Sequence, residues 1–177
     1  MLKKPIVALI ICVIVVVLST IVSVHRDLDP RCEEIRGEFT ESGGIADQLN
    51  VVCTASGGFV KLAEKYEVDE YSSFNAEDIA TSLRFAVGNT EPSALADLYR
   101  MLLSETDKLR TSLRLKDMSA DDAKLFDEFE TEYLAAQNAI GSSDYNSDVT
   151  HYLTKELGFF SRLMAKLCFV KLPEQFA

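Results

Sequence analysis

Only four prolines, eight glycines and two histidines occur in 177 residues, and no tract is of low complexity. A disordered chain would carry more of the first two and fewer apolar side chains than the 47% found. No repeat recurs at the period of about 20–50 residues that marks a solenoid. Nor does any long run alternate apolar with polar residues, so no strand is expected.

The scarcity extends to chemistry. No Gly-x-Ser-x-Gly elbow, phosphate-binding loop or His-Glu-x-x-His pair is present. Ser56, in "TASGGF", has no base partner that the sequence reveals. The cysteines are scattered without a Cys-x-x-Cys pair, which disfavours zinc. A di-iron or di-manganese bundle draws a Glu-x-x-His motif from each of two helices. This chain offers Asp148-Val-Thr-His151 and, as its other histidine, His25. The carboxylate-rich stretch 117–132 lacks the order of an EF-hand loop and reads as a solvated helix face. The expectation is a non-enzymatic protein without a cofactor. The alternative kept open is an envelope metal-binding or enzymatic bundle that uses the acidic face 117–132 with His151.

Carboxylates are missing from the first 26 residues as well. Residues 5–24, "PIVALIICVIVVVLSTIVSV", carry no charge. Twenty residues at about 1.5 Å each span about 30 Å, the hydrocarbon thickness of a bilayer. A cleaved signal peptide is the competing reading, but the run is long and no Ala-x-Ala site follows it. Residues 1–4 are then a short tail, 5–24 a single-pass transmembrane anchor in contact with the lipid bilayer, and 25–177 the folded domain. Lys3 and Lys4 precede the span, while Arg26, Arg31 and Arg36 follow it. The closeness of the lysines to their boundary favours a cytoplasmic N-terminus and an external bundle. The opposite orientation stays open.

Beyond the span, 16 basic residues face 28 acidic ones, a net of −12. So acidic a surface repels phosphate backbones, and no nucleic-acid partner is expected. Cys32, Cys53 and Cys168 are odd in number. A Cys32–Cys53 disulfide is open to an external domain; the simpler reading makes all three small core hydrophobes.

What is present is helical periodicity. "DPRCEEIRGEF" offers Asp29 as an N-cap and Pro30 at the first helical position. A second helix should run from the glycines at 43–44 to about Tyr66. Gly57 and Gly58 interrupt it, predicting a kink or a close approach by another chain segment. In "NAEDIATSLRFAVGN", Asn75 reads as a cap and Gly88 as a stop. Leu95, Leu98, Leu102, Thr106, Leu109 and Leu113 form the clearest apolar stripe. Ser119 and Asp122 have capping-box spacing ahead of Phe126, Phe129 and Tyr133. Short connections predict an all-α, antiparallel up-and-down helical bundle behind the membrane helix.

The last third holds "SDYNSDVTHYL". Tyr145 and Tyr152 stand seven residues apart, on one face if the segment is a single helix. Tyr145-Asn146, Tyr152, Phe159, the apolar run Leu163-Met164-Ala165 with Leu167 and Phe169, and a late Phe176 follow one another. This pattern resembles the C-terminal signature of the LemA family of bacterial membrane-anchored proteins. Leu153 stands where the signature has a second asparagine, and Phe160 where it has proline. Upstream, Phe59, Val60 and Tyr66 keep step with the family's other signature, while Val52 replaces its arginine and Gly57-Gly58 its Pro-Asn. The resemblance implies an antiparallel helical bundle acting as a membrane scaffold or adaptor, with no catalytic residues. It also implies a bundle in the cytoplasm, opposite to the lean of the lysines. Tyr145, Asn146, Tyr152, Phe159 and Tyr66 are thus the candidates for packing or for a partner face. The partner would be an unidentified protein, with homo-oligomers left open.

Overall fold

The computed structural model describes residues 3–176, and side chains from Val7 onward. Met1 and Leu2 of the expected tail, and the side chains of Lys3 and Lys4, lie outside the described residues. The elements are α1 (Lys3–Thr40), α2 (Ile45–Lys65), α3 (Glu70–Ala86), α4 (Pro92–Leu113), α5 (Ala120–Gly141), α6 (Tyr145–His151) and α7 (Phe159–Leu167). A π-helical turn, Tyr152–Glu156, follows α6 directly. Among the described residues there is no strand, and the fold is an all-α bundle.

α1 begins as the expected apolar run and is long and apolar enough to cross a membrane. Within that run Val7, Leu9, Val15 and Val22 are each exposed by more than half. The cap expected at Asp29 does not form, because α1 continues through Pro30. An Asp-Pro step reads equally well as a helix start and as an interior break. Here the loss of one backbone hydrogen bond, worth about 3 kcal/mol with the ring clash, is accepted. Asp29 instead takes a hydrogen bond from His25, Nδ1 to Oδ2 at 2.7 Å.

The described chain divides into two compact units. The first comprises the residues up to Gly37 with Ser147–Pro173, and the second Glu38–Asn146 with the residues from Glu174. In the second unit α2 packs against α3, α4 and α5, and α3 also packs on α4. α2 is thus the shared wall, and its buried residues explain why: Leu49, Val52, Cys53, Phe59 and Ala63 are sealed from solvent. Gly44 permits the entry to α2, since a Cβ there would lie 2.6 Å from the carbonyl oxygen of Glu38. Gly58 answers the second glycine question. A Cβ on it would stand 2.6 Å from the Phe129 ring, so α5 reaches α2 through this gap, while Gly57 faces open space. Phe59 then meets Phe126, Phe129 and Tyr133 edge to face, with centroids 5.4, 6.0 and 5.9 Å away.

α4 buries Leu95, Leu102, Leu109 and Leu113, as its stripe predicts, with Leu98 half-buried. Thr106 on that stripe donates to Ser56 Oγ at 3.0 Å, both sealed from solvent. Ser56 is therefore a satisfied core hydroxyl between α2 and α4. Gly88 adopts φ +84° just past α3 and ends it. Asn75 lies inside α3, whose cap is Asp69, accepting from the Ser72 amide at 3.1 Å.

Candidate interaction surface

Tyr145 is 2% exposed and meets Phe39 edge-on, centroids 5.3 Å apart. Its hydroxyl donates to the Glu174 carbonyl at 2.8 Å. Asn146 treats Phe176 as a strand treats its neighbour: Nδ2 donates to the Phe176 carbonyl at 2.6 Å, and Oδ1 accepts from the Phe176 amide at 2.7 Å. A carboxamide has the donor and acceptor of a peptide group, which makes this two-way pairing available to asparagine. The Phe176 ring, held so, rests between Phe39 and Tyr99, centroids 5.8 and 5.6 Å away. Tyr145 and Asn146 thus clasp the chain beyond Glu174 inside the second unit.

α6 is seven residues long, and Tyr152 is the first residue of the π turn that follows it, closed by the Leu157 amide on the Tyr152 carbonyl at 2.8 Å. Tyr152 is buried in the first unit with its hydroxyl 3.5 Å from Cys32 Sγ. Burial, then this contact, pushes the phenol well above its usual range. Cys32 and Cys53 are free thiols, so the disulfide weighed from the sequence is not formed. Cys32 faces the Tyr152 hydroxyl, and Cys53 is sealed in α2, where burial pushes its thiol up to about 11.

Tyr66 closes a polar joint between the end of α2 and the start of α5. Its hydroxyl donates to Asp122 Oδ2 at 2.6 Å and accepts from the Ser119 amide at 3.0 Å. Lys65 Nζ reaches both Asp122 oxygens, at 2.8 and 2.7 Å. Ser119 Oγ accepts from the Asp122 amide and so caps α5, and it donates to the Asp122 carboxylate at 2.6 Å; the reciprocal bond of a capping box is not made, because the Ser119 amide goes to Tyr66 instead. Hydrogen bonds from Lys65, then Ser119 and Tyr66, hold the Asp122 carboxyl far below the usual carboxylate range. Further along the acidic stretch, Glu130 bridges Arg110 and Arg114, at 2.5 and 2.6 Å. Arg110 in turn lies over the Tyr133 ring at 4.9 Å. Among the described residues no three His, Cys, Asp or Glu side chains are grouped to hold a metal ion. His151 is exposed and lies 3.1 Å from Glu156.

The open surface of the second unit lies on α3. Tyr71, Phe74 and Phe85 are 75%, 70% and 82% exposed. Spacings of three and eleven residues align them on one face, away from buried Ala76, Ile79 and Leu83. Beside Phe74 is a recess of about 610 Å³ floored by Ala63 and Val68. Glu64, Glu67, Glu70 and Glu77 line it, with no basic residue. Glu67 and Asp69 both adopt positive φ, 49° and 37°, on either side of buried Val68. Left-handed backbone at two residues with side chains costs on the order of 1 kcal/mol or more each, and such outliers cluster at functional sites. Sequence periodicity passed over this face. The available signal was three aromatic residues off the buried register of their own helix. No protein-family model, curated protein or solved structure matches the chain.

Proposed function

We infer that the chain is a membrane-anchored, non-enzymatic helical scaffold or adaptor of the cell envelope, akin to the LemA-family proteins its C-terminal signature resembles. The exposed apolar run of α1 supports the anchor, since that much hydrocarbon is stable only out of water. The observation that carries the adaptor reading is the α3 face, where three exposed aromatic rings lie along one side of the helix and one of them, Phe74, lines a recess walled by four glutamates. A soluble surface rarely clusters bare rings without a partner. The charge selects a protein segment that carries Lys or Arg beside an apolar side chain.

The test is photo-crosslinking in native membranes from a benzoylphenylalanine placed at Phe74. A discrete adduct that disappears in the E67K/E70K variant, with the same variant still folded, supports the reading. No adduct from Phe74 or from Phe85 overturns it. Sidedness follows from an added cysteine at Ser142, an exposed loop position. Labelling by an impermeant thiol reagent in intact cells means an external bundle, as the lysines favour. Labelling only after lysis means a cytoplasmic one, as the family resemblance implies.

A further inference from the structure

α7 is the most exposed apolar element outside the N-terminal run. Phe159, Phe160, Leu163 and Leu167 are 85%, 70%, 45% and 62% exposed. On a helix these four occupy about 100° of arc, with Lys166 and Arg162 along one margin. The opposite side of α7 is turned inward, where Ala165 and Cys168 are buried. From residue 158 to 173 there are three cations, Arg162, Lys166 and Lys171, and no carboxylate, in a domain otherwise strongly acidic.

The position of this helix along α1 says what covers it. His25, the first residue after the apolar run, lies 2.9 Å through Nε2 from the Cys168 carbonyl. Glu156, just before α7, lies 3.5 Å from Arg31. α7 is therefore strung between the levels of residues 31 and 25, about 9 Å apart along α1. Its C-terminal end stands at the edge of the apolar run. Phe169 adds an independent sign. The helix ends in a Schellman turn, with the Val170 amide bonded to the Ala165 carbonyl at 2.9 Å. That turn asks for glycine at residue 169, yet a phenylalanine stands there with φ +58° and its ring 90% exposed. Strained backbone holds an aromatic ring outward one residue past the contact with His25.

We propose that α7 and Phe169 form an interfacial foot that lays its aromatic face into an anionic phospholipid surface where α1 leaves the bilayer. Aromatic rings favour the headgroup layer, and Arg162 and Lys166 flank them as cations reaching lipid phosphates. This rests on α1 being a membrane anchor.

The chain contains no tryptophan, so F169W installs a single reporter in the full-length protein. It is reconstituted in phosphatidylcholine vesicles with or without phosphatidylglycerol, using brominated acyl chains as quencher and F85W on α3 as reference. The expected result is blue-shifted emission from F169W, quenched by brominated lipid, with the F85W signal unquenched. R162E/K166E should remove the added quenching that phosphatidylglycerol brings, about fivefold in lipid preference for each cation lost. F169G, which relieves the strained turn, should keep the fold while its vesicles show weaker α7 protection from protease. A carbonate-resistant chain with water-like, unquenched F169W emission overturns the foot and leaves the anchor standing. Blue-shifted emission that brominated lipid does not quench means that protein covers the face, which also overturns it. A chain that carbonate extracts from the vesicles overturns anchor and foot together.

Discussion

Two sets of aromatic rings in the last third of the chain meet opposite fates. Tyr145 and Phe176 are buried with Phe39 and Tyr99 in the second unit. Phe159, Phe160 and Phe169 stand exposed in the first. Hydrophobicity does not separate them, since the exposed set contains only phenylalanines. The difference lies in what each side of the backbone meets. The clasp gives each ring's neighbouring polar groups a partner, at Glu174 and at Phe176. α7 offers its inner side to the unit through small Ala165 and Cys168, so its large side chains have nowhere to turn but outward.

That contrast breaks most sharply at Phe176. Phe176→Ala empties the space between Phe39 and Tyr99 and should cost about 3–5 kcal/mol of stability in denaturant titration. If Phe159→Ala costs as much, the two sets are not different in kind. Next in size is Asn146→Ala, which strips both partners from the Phe176 backbone and should cost about 1–3 kcal/mol. Asn146→Asp retains the acceptor and loses the donor, so it should fall between wild type and alanine. Phe159→Ser should change stability in solution by no more than about 0.5 kcal/mol, since nothing packs on an exposed ring.

The polar joints sharpen the same comparison through pH. Asp122 is depressed when folded, so its contribution is present above the ordinary carboxylate value near about 4 and is lost as pH falls below it. Thermal scans between neutral and acid pH should show this loss, and Asp122→Asn should flatten it. His25 behaves oppositely. Both its ring nitrogens face oxygen acceptors, Asp29 and the Cys168 carbonyl, so the pair of bonds requires the doubly protonated ring. The Asp29 bond, then the Cys168 carbonyl, raises its pKa. The stability it adds is full below about 6.5 and is lost as pH rises through the raised value. Histidine resonances should titrate late at His25, and an Asp29→Asn variant should bring them back toward the ordinary value. This smallest effect belongs to the exposed set's unit, beside α7.

Much of the second unit was legible in the residues. Leu95 to Leu113 carries its own period, Ser119 and Asp122 declare a helix start, and Gly88 declares an end. Local signals of that kind act over a turn or two and need no distant partner. Asp29-Pro30 and Asn75 misled for the same reason: each has valid capping chemistry that the continuing helix overrode. The α3 face was missed because periodicity finds buried residues, and Tyr71, Phe74 and Phe85 lie off the buried register.

The sequence by itself determined that the chain is helical, that one helix is long and apolar enough to cross a membrane, and where most helices of the second unit stop. Those properties follow from propensity, capping and hydropathy, which are written residue by residue. Only the tertiary structure decided that Asn146 would read the backbone of Phe176, that Tyr152 would face Cys32, and that Tyr66 would hold Asp122. Each of these joins residues 30 to 120 positions apart, and side-chain geometry alone selects such a partner.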